Sequence, residues 1–99
     1  MTTVMLVDDH VLVRMGFGML LKDAGITVVA EADSGEQASA LYAQSKPDVV
    51  VMDLSMPGMG GLEALRRLLA QDSAARVLVL SAHQDSAHPR RALKAGALG

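Results

Sequence analysis

The chain has 99 residues, 51% of them hydrophobic and 20% charged, which allows one globular domain and excludes two. Nine Lys and Arg residues against eleven Asp and Glu residues give a formal net charge of −2, so no basic excess is present to bind nucleic acid. Cys is absent, which excludes disulfides, thiolate metal sites and a cysteine nucleophile.

The apolar runs are too short for a membrane. The longest, residues 15–21, falls well below the ~18 residues that a membrane span needs. Asp8 and Asp9 interrupt the first apolar stretch too early for a secretory signal. We therefore expect a soluble, cytoplasmic domain that does not contact a membrane.

Short apolar runs alternate along the chain with segments of helical spacing. The runs are typical of strands buried in a parallel sheet, and they lie at residues 4–7, 26–30, 49–52 and 77–80. The first helical segment ends at Gly25, and the second begins with a capping box of Ser34 and Gln37 and ends at residues 46–47. A third runs from about residue 61 to 69, and a short fourth lies near residues 89–95.

This alternation predicts a doubly wound α/β sheet with right-handed crossovers, in one domain over residues 1–99. The pattern stops at residues 97–99, where a fifth strand is expected. A closing strand and helix need roughly 20 more residues at average element lengths. We therefore expect a C-terminally incomplete domain that lacks the fifth strand and the last helix.

Acidic residues follow two of the predicted strands. Asp8 and Asp9 come directly after the first strand, Asp53 after the third, and Ser81 after the fourth. Doubly wound sheets bind ligands beyond the carboxyl ends of their strands, where the strand order reverses. If the order is 2-1-3-4, these four side chains converge there.

Such a cluster needs a counter-charge. Two carboxylates ~4 Å apart repel by about 4 kcal/mol at an effective dielectric constant of 20. A hard divalent cation removes this repulsion, and ligands that are all oxygen atoms select Mg²⁺ or Mn²⁺ over zinc. Asp53 is then either a ligand only or a nucleophile toward a phosphoryl group.

Four segments, in order, resemble the receiver domain of bacterial response regulators. They are VMLVDDH at residues 4–10, DVVVMDLSMPGMGG at 48–61, VLVLSA at 77–82 and AGA at 95–97. The residues at positions 9–10 and 56–57 resemble those of the subfamily in which a C-terminal helix-turn-helix domain binds DNA. The resemblance covers residues 4–99 and implies a flavodoxin-like sheet of order 2-1-3-4-5.

The resemblance implies a role for each matching position. Asp53 is the phosphoacceptor, and Asp8, Asp9, Asp53 and the backbone carbonyl of Ser55 hold Mg²⁺. Ser81 and Ala82 contact the phosphoryl group as part of the switch, and Ser55 and His83 tune its lifetime. The implied partner is a sensor histidine kinase or a phosphotransfer protein, and the chain itself is not an enzyme.

The family also has a Lys at the end of the fifth strand and an aromatic switch residue on it. The chain stops before both positions, and Lys94, in the preceding helical segment, does not take the role of that Lys. The missing charge-assisted hydrogen bond is worth roughly 1.5–3 kcal/mol. We therefore expect phosphorylation of this chain to be slow or absent.

Simpler interpretations of some residues stay open. Asp9 could cap the first helix. His10 is expected to be a partly exposed residue of the first turn rather than a metal ligand, and His83 and His88 to be loop residues. The basic residues at 90, 91 and 94 fit a solvated helix face, and the glycines at 58, 60 and 61 fit a turn.

Other functions use a similar sheet edge. An aspartate-nucleophile phosphatase needs a second carboxylate two residues after the nucleophile, where this chain has Ser55. A flavin-binding protein needs phosphate-binding donors in the first loop, where Asp8 and Asp9 repel phosphate. The third alternative is an inert receiver fragment that serves only as an interaction module.

The fourth strand, residues 77–80, has an apolar edge that the fifth strand covers in the implied order. Without that cover the edge can pair with another chain. We therefore expect dimerisation, strand exchange or poor solubility.

Overall fold

The computed structural model describes residues 2–53 and 60–80, in which strands and helices alternate. The elements are β1 (Thr3–Val7), α1 (Val11–Asp23), β2 (Thr27–Ala32), α2 (Gly35–Ser45), β3 (Val49–Asp53), α3 (Gly60–Gln71) and β4 (Val77–Leu80). All strand pairs are parallel and the order is β2-β1-β3-β4, which confirms the predicted flavodoxin-like, doubly wound sheet. The predicted fourth helix and the positions predicted after β4 lie outside the described residues.

The end of α1 explains why the second strand begins later than predicted. Gly25 has a φ of +80°, a conformation that a residue with a side chain adopts only with strain. Its N–H donates to the Lys22 carbonyl at 3.0 Å, and the Ile26 N–H donates to the Leu21 carbonyl at 2.8 Å. This pair of bonds is a Schellman motif. Ile26 therefore belongs to the helix cap, and β2 starts at Thr27.

The predicted capping box of α2 forms in a modified way. The Ser34 side chain accepts a hydrogen bond from the Gln37 N–H at 3.2 Å, as predicted. The Gln37 side chain accepts from the Asp33 N–H at 2.7 Å rather than from the N–H of Ser34. At the other end, Lys46 takes the left-handed conformation with φ of 44° and Pro47 follows, so the predicted stop is confirmed.

The hydrophobic core lies on the face of the sheet that α2 and α3 cover. Successive side chains of a strand point to opposite faces, and Met5 and Val7 of β1 point into this core. The other core residues are Ala32, Ala38, Tyr42, Val50, Met52, Ala64, Leu65, Leu68, Ala75 and Val77.

The opposite face of the sheet carries α1. Leu6 points toward this helix, because a Cβ on Gly18 would lie 4.0 Å from its Cδ1 atom. No residue of α1 is buried, and its Leu20 is 67% exposed. In β2, only Ala32 is buried, because this strand is the first of the sheet order and has one neighbouring strand in the described part of the chain.

The amino ends of β1 and β3 are tied together opposite the acidic residues. The Asp48 carboxylate accepts hydrogen bonds from the Thr3 N–H at 2.8 Å and from the Thr3 hydroxyl at 3.2 Å. The backbone bond is the main reason that the pKa of Asp48 lies below its ordinary value. These bonds help to fix the register in which β1 and β3 place their carboxyl ends side by side.

Candidate functional site

The acidic residues lie where the sheet reverses its winding direction. β1 pairs with β2 on one side and with β3 on the other, so the carboxyl ends of β1 and β3 flank the reversal point. Asp53 is the last residue of β3, and Asp8 and Asp9 directly follow β1. Asp53 is 4% exposed and Asp8 is 8% exposed. The predicted convergence at this edge therefore places two buried carboxylates at the reversal point.

Three carboxylates and one imidazole form a compact cluster. One donor atom from each of Asp8, Asp9, His10 and Asp53 lies within 4.8 Å of all the others. The structure thus brings together the three aspartates that the sequence placed at this edge. The other predicted site residues, Ser55, Ser81, Ala82 and His83, lie outside the described residues.

Hydrogen bonds on both sides hold Asp8 in place. Its N–H donates to the Ala32 carbonyl at 3.0 Å, which continues the β1–β2 pairing by one residue. Its Oδ1 atom accepts from the His10 N–H at 2.8 Å. Its carbonyl accepts from Nη1 of Arg14 at 2.6 Å, while Nε of Arg14 donates to Glu31 at 3.0 Å. The first acidic position is therefore fixed by β2 and α1 together.

Arg14 is the contributor that the sequence analysis missed. It lies one turn into α1, and its side chain reaches back over the end of β1 to the Asp8 carbonyl. The sequence does show a basic residue, Arg14, shortly after the loop that carries Asp8 and Asp9. It does not show which carbonyl group the Arg14 side chain contacts.

His10 lies closer to the carboxylates than the sequence analysis expected. Its side chain is 57% exposed, yet Nδ1 lies 3.1 Å from Asp8 Oδ1, 3.0 Å from Asp9 Oδ1 and 3.8 Å from Asp53 Oδ2. The hydrogen bond to Asp8 and then the charge of Asp9 raise the pKa of His10 above its ordinary value. His10, and not Asp9, occupies the N-cap position of α1, and its side chain makes no capping bond.

The donor set fits a divalent cation. Asp9 Oδ1 is buried and has no hydrogen-bond partner in the described part of the chain, since the nearby imidazole is only an ion-pair neighbour. A buried oxygen without a donor is costly unless a cation or another polar group satisfies it. Three carboxylates at one point match the oxygen ligands that Mg²⁺ prefers.

Within the described residues, no helix combines the length and the apolar character that crossing a bilayer requires.

Comparisons with known proteins agree with this architecture. A family model described as "Response regulator receiver domain" matches residues 4–99. The chain is 46% identical to the response regulator GacA of Pseudomonas aeruginosa, over 100% of this chain and 47% of that protein. It is 44% identical to the response regulator UvrY of Escherichia coli, over 100% of this chain and 46% of that protein. The chain thus spans about half the length of the curated relatives that it matches.

Solved structures show the same fold. A LuxR-family two-component response regulator from Aurantimonas is 47% identical, with a TM-score of 0.92 over 98% of this chain and 71% of that chain. A CheX–CheY–BeF3–Mg²⁺ complex from Borrelia burgdorferi is 28% identical, with a TM-score of 0.93 over 98% of this chain and 74% of that chain. The resemblance found in the sequence is therefore confirmed, and the chain belongs to the response regulator receiver domains of two-component signal transduction.

Proposed function

We propose that Asp53 accepts a phosphoryl group from a sensor histidine kinase or a phosphotransfer protein. The observation that carries this proposal is the position of Asp53, which is buried at the end of β3 with an oxygen inside the carboxylate cluster. Backbone pairing of β3 with β1 and β4 on either side keeps this carboxylate at the reversal point of the sheet. A carboxylate held in this way can attack phosphorus without first being reoriented.

Asp8, Asp9 and Asp53 would hold Mg²⁺ in this proposal, with the backbone carbonyl of Ser55 as a further ligand. The bound ion would neutralise the charge that gathers on the carboxylates and the phosphoryl oxygens. The Asp9 Oδ1 atom supports this assignment, because it is a buried acceptor that makes no hydrogen bond and has the His10 imidazole as an ion-pair neighbour. Arg14 supports it indirectly by fixing the peptide of Asp8.

The remaining roles are those that the resemblance to receiver domains implies. We assign Ser81 and Ala82 to contact with the phosphoryl group, and Ser55 and His83 to control of its lifetime. In this scheme the chain is the phosphorylated substrate of a partner and not an enzyme with turnover of its own, and we place it in the cytoplasm.

The proposed output is control of transcription by a DNA-binding region outside these 99 residues. Two similarities support it. The Aurantimonas structure is of the LuxR family, and a Staphylococcus aureus structure with a TM-score of 0.89 and 26% identity is a DNA-binding response regulator of that family. The net charge of −2 on this chain agrees with a DNA contact made elsewhere.

The test is incubation of the chain with Mg²⁺ and a small phosphodonor such as acetyl phosphate, followed by intact-mass measurement. We expect slow addition of one phosphoryl group, which depends on Mg²⁺ and is absent from Asp53→Asn. Fluorine NMR of beryllofluoride binding tests the same acidic site without requiring phosphoryl transfer.

Asp23→Asn is the matched control, because Asp23 is an exposed aspartate at the last position of α1, the helix whose first turn follows the cluster, and its loss should change neither measurement. An adduct that persists in Asp53→Asn would contradict the assignment of Asp53. Absence of both the adduct and beryllofluoride binding from the unmodified chain would favour the inert fragment instead.

A further inference from the structure

We propose that Nδ1 of His10 is a fourth ligand of the metal site. The site would then bind transition-metal ions of borderline softness, such as Co²⁺ and Ni²⁺, more tightly than its three carboxylates alone would. This inference rests on the proposed function for Asp8, Asp9 and Asp53, and it adds a residue and a metal preference to that site.

The distances around Nδ1 fit a shared metal ion. Ligand atoms about 2.1 Å from one ion, at right angles to each other, lie about 3.0 Å apart. Nδ1 is 3.1 Å from Asp8 Oδ1 and 3.0 Å from Asp9 Oδ1. Its distance of 3.8 Å from Asp53 Oδ2 lies between the values for neighbouring and opposite ligands. The imidazole nitrogen therefore stands where a coordinating atom would stand.

The helix backbone does not engage the imidazole, whose Nδ1 atom instead shares a hydrogen bond with Asp8 Oδ1. His10 is the N-cap residue of α1, where a side chain usually bonds to a free N–H of the first turn. The His10 side chain makes no such bond. The side chain is 57% exposed, and its Nδ1 atom faces the carboxylates.

The chemistry of the donor set predicts which ions gain from His10. Mg²⁺ is hard and prefers oxygen, so an imidazole adds little to its binding. Co²⁺ and Ni²⁺ bind imidazole well, and their affinity for mixed nitrogen and oxygen sites exceeds that of Mn²⁺. His10 should therefore affect selectivity among metal ions more than the affinity for Mg²⁺.

The test is calorimetric titration of the full, untagged chain with Co²⁺ and separately with Mg²⁺. The variants are His10→Ala and His10→Asn, of which the second keeps a residue type favoured at an N-cap. Outer-shell partners of metal ligands alone change affinity by about 10–100-fold, so loss of a direct ligand should weaken Co²⁺ binding at least about tenfold. Mg²⁺ binding should not weaken in either variant, and the visible spectrum of bound Co²⁺ should change.

His88→Ala is the control, because it removes another of the three histidines of the chain and lies far from the cluster in sequence. The inference is overturned if Co²⁺ binding is unchanged in both His10 variants, if Co²⁺ and Mg²⁺ binding weaken by the same factor, or if His88→Ala has an equal effect. Failure of the proposed function would appear separately, as a missing Mg²⁺-dependent adduct on Asp53.

Discussion

Tyr42 illustrates how burial and one charged neighbour change the chemistry of a single residue. It is 7% exposed, and its hydroxyl donates a hydrogen bond to Asp72 Oδ2 at 2.8 Å. Burial first, and then the bond to Asp72 and its charge, raise the pKa of Tyr42 to about 12. Since α2 carries Tyr42 and Asp72 directly follows α3, the bond also ties these two helices together.

The phenol of Tyr42 should therefore ionise late and affect stability only at high pH. A folded-state pKa above the unfolded value of about 10 gives stability that is complete below pH ~10 and is lost as the pH rises toward about 12. Tyr42 is the only tyrosine in the chain, so phenolate absorbance after a rapid pH jump reads it directly. We expect an earlier transition in Asp72→Asn. A midpoint near 10 in the unmodified chain would contradict this prediction.

The sequence was enough to predict which acidic residues meet at the site, but not the position of every side chain there. Strand ends are visible in the pattern of apolar runs, so the order of residues along the chain is enough to assign Asp8, Asp9 and Asp53 to one edge of the sheet. His10 could not be placed, because its approach depends on the path of the three residues between β1 and α1. The sequence shows that a histidine follows two acids but not where its ring turns.

At the scale of elements, Arg14 joins three parts of the fold. From α1 it contacts the peptide that follows β1 and a carboxylate on β2. Its side chain is only 17% exposed, so the bond to the Asp8 carbonyl is partly shielded from water. An acceptor that loses its partner in such a place costs about 1–3 kcal/mol.

Arg14→Met should therefore destabilise the chain by about 1–3 kcal/mol, measured as the free energy of unfolding in urea. Arg66→Met is the matched control, because Arg66 is also on a helix but is 60% exposed and 3.8 Å from Glu63. Exposed ion pairs contribute about 0–1 kcal/mol, so this variant should unfold near the wild-type midpoint. An equal loss of unfolding free energy in the two variants would show that the hydrogen bond from Arg14 to the Asp8 carbonyl does not contribute more than an exposed ion pair.

The boundaries of elements were predictable where local signals dominate. β4 has the predicted bounds, and α2 begins at its predicted cap and stops at Lys46. β2 was placed too early because a β-branched residue, Ile26, is a strong strand former, yet here its N–H completes the cap of α1. The exposure of α1 was not predictable, since helical spacing marks an apolar face but not what covers it.

On the scale of the whole molecule, the core is one-sided in the described residues. α2 and α3 contact each other and cover the same face of the sheet, whereas α1 contributes no buried residue. Among the strands that the structure describes, β4 is the last in the order, and its Leu78 is 42% exposed. Pairing of β4 with another chain stays a prediction.

We expect the chain to self-associate through β4, in a way that Leu78→Lys weakens because the charge disfavours pairing at an edge. Sedimentation velocity over a concentration series measures the effect. Leu12→Lys serves as the control, since Leu12 is 82% exposed on α1 and its replacement should leave association through β4 unchanged. A single monomeric species at the highest concentration would argue against this surface.

The one-sided core also divides the methionines by their access to oxidants. Met5 and Met52 are fully buried in the sheet, whereas Met15 and Met19 on α1 are 57% and 67% exposed. Conversion of a thioether to a sulfoxide makes the side chain polar, which a solvated helix tolerates and a packed sheet does not. Peroxide should therefore oxidise Met15 and Met19 while the sheet stays intact, and sulfoxide at Met5 or Met52 should mark molecules whose strands have already separated.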